Sequence, residues 1–350
     1  MNMKILYFGI YNPEYSRNRV LMRGLNTGGI QMFKCNISPR DRLPFLKLFL
    51  KYWKFRNTYD IVLVGFPGQE IVFLAKFLTR KPLIFDAFTS HYGGYILDRH
   101  YWSPQSLRAK YYRFLDKWSC KLADLVLLDT NAHIDFFVKE FGLPKEKFRR
   151  IFVGTDSDIF YPRRAEKSDD KFLVHFHGHY IPLQGVKYII EAAKILEKEN
   201  IAFNLIGRGQ TFGEDRKFAE RLGVKSINFM DPVPYDKLPD YISRTDVCLG
   251  IFGDSPKTEL VIPNKVFEAM AMAKPVITAD TSAIRELFTD KKNIFLCRRA
   301  DSRNLADAIL QLKQNDELRH MISDGAYNLF KSRVSEDIIG AEFKQILSGL

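Results

Sequence analysis

In the stretch IPNKVFEAMAMAKPVITADTSAIREL, residues 262–287, three polar side chains fall within one helical turn. Glu268 lies four residues after Asn264 and three after Lys265, so a helix brings all three to one side of its first turn. Pro263 suits a helix start and Asn264 is able to cap it. First-turn amides and the Lys265 ammonium would then face an anion. A carboxylate does not bind phosphate, but it accepts two hydroxyl protons from a ribose diol. Together these groups fit a nucleotide diphosphate. A Lys–Glu pair on a solvated face is the plainer alternative. It accounts for the charges but not for their place before EAMAMAKPVI, whose small residues predict close packing.

Four other stretches carry polar groups at informative positions. In FHGHYIPLQGVKYIIEAAKIL (176–196) a strand ends at Gly178, a loop carries Pro182 and Gly185, and a helix begins near Val186. Ligands of open parallel sheets bind past the carboxyl ends of strands, where helix N-termini offer N–H groups to phosphate. His179 and Gln184 are placed to point at such a ligand, although an ordinary strand–helix loop reads similarly. In LIGRGQTFGE (205–214), Gly207 and Gly209 would let a ligand near the backbone and Arg208 would meet an anion, but a plain turn fits equally well. In PLIFDAFTSHYGGYILDR (82–99), Asp86 at a strand end and His91 beyond it are candidates for catalysis or orientation. A lone histidine also serves structure. In RDRLPFLKLFLKYWKFR (40–56), six bases interleave with Phe45, Phe49, Tyr52, Trp53 and Phe55. That pattern fits either a helix lying in an anionic membrane interface or a surface helix with solvated bases.

Short apolar runs alternate with helical spacing along the chain. KILYFGI, DIVLVGF, PLIFDAF, DLVLLDT and RIFVG predict strands in the first half. FLVHFHG, IAFNLIG, SINFM, DVCLGIF, PVITA and NIFLC predict strands in the second. Strands separated by helices imply parallel sheets covered on both faces. The polar run YPRRAEKSDDK (161–171) has no apolar period and predicts a linker. With 350 residues, 46% hydrophobic and 27% charged, the chain fits two soluble domains. Residues 1–150 hold 25 Lys and Arg against 12 Asp and Glu; the rest holds 28 against 29. A basic half suits nucleic acid, anionic lipid or an anionic substrate, but no nucleic-acid-binding motif accompanies the charge. No apolar run is long enough to span a membrane and no signal-peptide pattern opens the chain, so a cytoplasmic location is expected. Cys35, Cys120, Cys248 and Cys297 are far apart in sequence and predict reduced thiols. The first strand leads to GIYNPEYS and not to GxGxxG, which argues against a dehydrogenase.

The ordered set GHYIPLQGVKYIIEAAKIL, LIGRGQ, DPVPYDKLPDYISRTDVCLGIF and PNKVFEAMAMAKPVITADTSAIREL resembles the family-4 glycosyltransferases, which have the GT-B fold. RIFVGTDSDIFYP is similar to the segment that ends their first domain. The resemblance implies two Rossmann-like domains with parallel sheets facing a cleft. An acceptor-binding domain would comprise residues 1–160 plus 335–350, and a nucleotide-sugar-binding domain residues 161–334. It implies sugar transfer with retention of configuration and no metal or other cofactor. Donor-binding residues would be Gly178, His179, Gln184, Gly185, Gly207, Arg208, Pro263, Asn264, Lys265 and Glu268, with Gly9 and Asn12 approaching the diphosphate from the first domain. Lys265 would stabilise the leaving diphosphate, and Asp86 or His91 would orient the acceptor or the sugar. The chain departs from the family at His179 and Gln184, where many members have Arg and Lys. It departs again at Leu260, where the first of two glutamates is usual; Glu259 is one position off.

The reading is a hexosyltransferase-type enzyme that moves a sugar from a nucleotide-sugar to a saccharide or lipid-linked acceptor, in surface polysaccharide or glycolipid synthesis. Peripheral attachment to the inner face of the membrane through residues 40–56 goes with it; a nucleic-acid partner does not. A nucleotide-sugar isomerase or epimerase of the same fold is the alternative, as is a non-catalytic nucleotide- or membrane-binding protein. The base, the sugar, the acceptor, the linkage and the oligomeric state are not legible in the residues.

Overall fold

The computed structural model describes residues 3–165 and 170–349; residues 166–169 of the expected linker lie outside this description. The chain forms two compact units, residues 1–154 with 334–350, and residues 155–333. The change of unit falls at Gly154, ahead of the charged run at 161–171.

The first unit is built on six parallel strands: β1 (Lys4–Ile10), β2 (Gln31–Ile37), β3 (Ile61–Val64), β4 (Leu83–Phe88), β5 (Leu125–Leu128) and β6 (Phe148–Arg150), in the order β2-β1-β3-β4-β5-β6. Its helices are α1 (Ser16–Thr27), α2 (Pro44–Tyr52), α3 (Gln69–Leu78), α4 (Leu107–Leu122), α5 (Asn131–Phe141) and, from the end of the chain, the helix Glu336–Ser348. The central strands IVLV and LVLL are buried throughout, as a sheet covered on both faces requires. Alternate residues of each strand feed two cores. Leu6, Phe8, Val62 and Phe85 meet α2, α3, α4 and α5 on one face. Ile5, Tyr7 and Leu63 meet α1 and the C-terminal helix, through Ile339 and Phe343, on the other. The edge strand β2 carries Lys34 and Asn36 and buries only Cys35 fully, so its sequence lacks the apolar run of its neighbours. RIFVG, expected as a strand, contributes only Arg150 to β6; Ile151, Phe152 and Val153 are buried beyond it.

The second unit holds β7 (Phe172–His177), β8 (Ile201–Ile206), β9 (Ile227–Met230), β10 (Val247–Leu249), β11 (Val276–Ala279) and β12 (Phe295–Cys297), parallel in the order β12-β11-β10-β7-β8-β9. Its helices are α6 (Val186–Ile195), α7 (Phe212–Leu222), α8 (Leu238–Ser243), α9 (Asn264–Ala271), α10 (Ser302–Gln314) and α11 (Asp316–Leu329); the C-terminal helix of the first unit is α12. The strand order reverses between β7 and β10. Chains leaving neighbouring strands at such a point diverge to opposite faces and leave a crevice past the strand ends. The loop from β7 to α6 and the loop from β10 to α9 flank that crevice, and together with α9 they carry most of the expected donor-binding residues. All four cysteines are free and buried.

Candidate functional site

The two loops are joined by main-chain hydrogen bonds. Phe252 N–H donates to the Gln184 carbonyl at 3.1 Å and Gly253 N–H to the Leu183 carbonyl at 3.0 Å. Gly185 sits at φ +65°, and a Cβ there would lie 2.5 Å from the Gly253 nitrogen, so only glycine lets the loops meet this closely. Gly207 has φ +141°, and a Cβ on it would overlap the carbonyl oxygen of Gly178. These contacts bring Gly178, Gln184, Gly185 and Gly207 together at the crevice.

Lys265 enters from α9. It is buried, and its ammonium donates to Gln184 Oε1 at 2.5 Å and lies 3.6 Å from the centre of the Phe176 ring. A Cβ on Gly178 would lie 3.0 Å from Lys265 Nζ. Burial pushes the Lys265 pKa well below its ordinary value, against the opposing pull of Glu268. A solvated Lys–Glu face is thereby excluded, since Lys265 and Glu268 are both inside. Pro263, in extended conformation, occupies the cap position of α9, and no side chain caps the helix. The expectation that Asn264 caps it is corrected: Asn264 is the first helical residue, because Pro263 fixes the entry one residue earlier. Val266 N–H bonds the Pro263 carbonyl at 2.9 Å, and no side-chain oxygen caps the first turn.

Glu268 is held at both oxygens. Tyr235 Oη donates to Oε1 at 3.1 Å, and His177 Nε2 bonds Oε2 at 2.6 Å. His177 Nδ1 in turn meets His175 Nε2 at 2.9 Å. Burial pushes the pKa of His175 well down, so it stays neutral. The tautomers that satisfy this chain have His175 donating through Nε2 and His177 donating through Nε2 to the carboxylate. Each oxygen of Glu268 then accepts one bond and keeps a lone pair for a further donor. The sequence reading missed His175, His177 and Tyr235. A signal was present in VHFHG, whose two histidines at i and i+2 share one face of the strand.

The remaining residues are more loosely tied to this site. His179 is exposed beyond β7. Arg208 pairs with Asp231 at 2.6 Å and lies 3.8 Å from the Phe212 ring centre. Glu259 pairs with Arg299 at 3.1 Å and accepts from Ser282 N–H at 3.0 Å. Among the described residues, no three His, Cys, Asp or Glu side chains gather as a metal-ligand set.

In the first unit Gly9 is the next-to-last residue of β1 and Asn12 follows in the turn to α1, where its side chain accepts from Glu14 N–H at 3.0 Å. Asp86 requires a correction. It lies within β4, fully buried, and its carboxylate takes three hydrogen bonds of 2.8–3.1 Å from Arg17, itself fully buried. Arg17 also donates to the carbonyls of Ile151 and Phe152, at 2.7 and 3.1 Å. Burial alone would lower the pKa of Arg17, but the facing carboxylate outweighs it and raises that pKa. Asp86 therefore anchors Arg17 and presents no oxygen to a substrate. The glycine-poor run LIFDAF carried no sign of this partner, which is 69 residues distant. His91 opens a π-helical turn, Tyr92–Asp98, with its N–H on Asp116 Oδ1 at 3.1 Å and its ring beside Tyr95 and Tyr112.

Residues 171–315 match the family described as Glycosyl transferases group 1. An alpha-D-kanosaminyltransferase of Streptomyces kanamyceticus is 24% identical over 78% of this chain and 72% of its own length. An Escherichia coli protein, WcaL, described as a candidate colanic acid biosynthesis glycosyltransferase, is 25% identical over 61% of this chain and 54% of its own. Against other curated glycosyltransferases the chain spans about half of the relative's length, 48% and 54% in two cases. The solved structure of Anabaena Alr3699/HepE in complex with UDP-glucose superposes with a TM-score of 0.75 at 19% identity, covering 99% of this chain and 100% of that one. Residues 171–315 are thus similar to the glycosyl transferases group 1, and the two parallel-sheet units have the GT-B fold.

Proposed function

We propose that the protein is a retaining glycosyltransferase that takes its sugar from a nucleotide-sugar bound by the second unit and passes it to a saccharide or lipid-linked acceptor bound by the first. The observation that carries this reading is the Lys265 ammonium, buried without a full counter-charge beside Gly178 and Gln184 at the start of α9. Holding a cation out of water costs stability, and that cost is offset when a diphosphate binds. Lys265 and the first-turn amides of α9 would bind the diphosphate and stabilise the charge that grows on it as the sugar departs. The proton balance follows. A bound diphosphate raises the depressed pKa of Lys265, so donor binding above that pKa takes up a proton.

One turn along α9, Glu268 would accept the two ribose hydroxyls on the lone pairs that His177 and Tyr235 leave open. Gln184, which accepts from Lys265, keeps the ammonium aimed into the crevice. No metal or other cofactor enters this scheme, because cationic side chains and amides supply the positive field. HepE, whose structure carries UDP-glucose, and WcaL, named for colanic acid synthesis, support a UDP-sugar donor and a role in surface polysaccharide assembly. No helix among the described residues is long and apolar enough to cross a membrane, and attachment through residues 40–56 at the inner face belongs to the same proposal.

A thermal-shift panel of UDP-, GDP- and ADP-sugars tests the reading. One class should raise the melting temperature of the wild type and fail to do so for Lys265→Ala. No shift with any nucleotide-sugar would sink the donor site. Conversion of the bound sugar with no acceptor present would favour an isomerase.

A further inference from the structure

Helix α4 packs its inner side, Ala109 and Cys120, into the same core as Leu48 and Tyr52 of α2 and Ile71, Val72 and Ala75 of α3. The three helices cover one face of the first sheet, so their opposite sides all point away from it. On α4 that outer side should be polar. Instead Leu107, Tyr111, Phe114 and Trp118 form a second apolar stripe at spacings of four, three and four. Leu107 is 82% exposed and all four are exposed side chains. On α2 and its exit, Leu46, Leu50 and Trp53 repeat the pattern at spacings of four and three, with Leu50 59% exposed. Between them α3 adds Phe77, 80% exposed, and Phe73, stacked on Phe114 with ring centres 6.2 Å apart.

Bases border both stripes. On α4 they are Arg108, Lys110, Arg113, Lys117 and Lys121, and the only acid of the helix, Asp116, is turned inward and fully buried. Residues 40–56 carry six bases and the single acid Asp41. Lys121 Nζ lies 4.5 Å from the Trp118 ring centre and Arg56 Cζ 5.3 Å from that of Trp53, so the cations stand around the aromatic rings.

We propose that the outer faces of α2, α3 and α4 form one docking surface for an anionic lipid bilayer, with the apolar stripes in the acyl boundary and the bases at the headgroups. Leucine and aromatic side chains at helical spacing under a collar of Lys and Arg match the interface of a charged membrane. A nucleic acid would satisfy the bases but leave Leu46, Leu50 and Leu107 in water. The proposal extends the attachment through residues 40–56, on which it rests, and makes α4 an equal contributor.

The test is flotation of the full chain with vesicles of phosphatidylcholine alone, or of equal parts phosphatidylcholine and phosphatidylglycerol, with no nucleotide-sugar present. Wild type should float with the anionic vesicles, remain behind with the neutral ones, and be released by high salt. Leu107→Ser with Phe114→Ser, and separately Lys110→Gln with Lys117→Gln, should each weaken partition by about tenfold or more while circular dichroism stays unchanged. A variant neutral at Lys47, Lys51 and Lys54 gauges the 40–56 segment alone. If that variant loses binding while both α4 variants float like wild type, the extended face is overturned and the narrower attachment stands. If wild type ignores anionic vesicles, or binds neutral ones equally, both are overturned. Donor binding is read separately by the thermal-shift panel.

Discussion

Replacing Asp86 by asparagine separates a structural carboxylate from a catalytic one. Arg17 is fully buried and directs three hydrogen bonds of 2.8–3.1 Å at the Asp86 oxygens. Asparagine keeps one acceptor oxygen and turns an NH2 group toward N–H donors. The guanidinium then retains its charge inside the fold with that one amide oxygen and the Ile151 and Phe152 carbonyls for partners, and with no counter-charge at position 86. Removing one member of a buried ion pair costs about 3–5 kcal/mol. In a unit of this size each kcal/mol moves the melting temperature by about 2–4 °C, so a fall of roughly 6–20 °C is expected. The double variant Arg17→Met with Asp86→Leu leaves no buried charge and should recover more than half of that loss. The measurement is thermal unfolding followed by circular dichroism, with nucleotide-sugar shifts recorded in parallel. The reasoning is refuted if Asp86→Asn melts with the wild type and yet loses sugar transfer. That result would make Asp86 a catalytic residue.

Other outcomes follow from the same geometry. Lys265→Ala should reduce turnover by about 10²–10³-fold, the usual effect of losing one preorganised charge-stabilising group, while the protein stays folded. Full activity of that variant would remove Lys265 from the mechanism. Gly207→Ala places a methyl group against the Gly178 carbonyl at a φ of +141°, and should cost about 1–3 kcal/mol together with nucleotide binding. A melt identical to wild type would contradict it. Burial pushes Asp116 up to about 6 despite hydrogen bonds from Ser90, Tyr92 and His91. The folded carboxyl therefore holds its proton more tightly than the unfolded one, whose pKa is about 3.9. Its contribution to stability is full below about pH 4, is lost as pH rises to about 6, and is flat beyond, a change of up to about 3 kcal/mol. The stability of wild type minus that of Asp116→Asn, measured across this window, should fall as pH rises. A rising difference would reverse the assignment.

The architecture was largely legible because its cause is local. A parallel strand covered on both faces must be apolar along its whole length, and IVLV, LVLL and VITA announce themselves in one dimension. The edge strand Gln31–Ile37 escaped notice for the same reason: half exposed, it has no continuous run. The crevice loops were legible too, since Gly185, Gly207 and Pro263 are demanded by backbone geometry close to where they stand. What the sequence alone determined, then, was the fold class and the short stretches that converge on Lys265 and Glu268. Tertiary structure decided what surrounds them. Gln184 meets Lys265 across 81 residues, His177 meets Glu268 across 91, and Arg17 claims Asp86 across 69. Such partners are chosen by strand order, which turns distant chain positions into neighbours and leaves no periodic trace. Burial is equally non-local: α4 shows two apolar stripes in sequence, and only the packing of its inner side on the sheet tells which one is left facing outward.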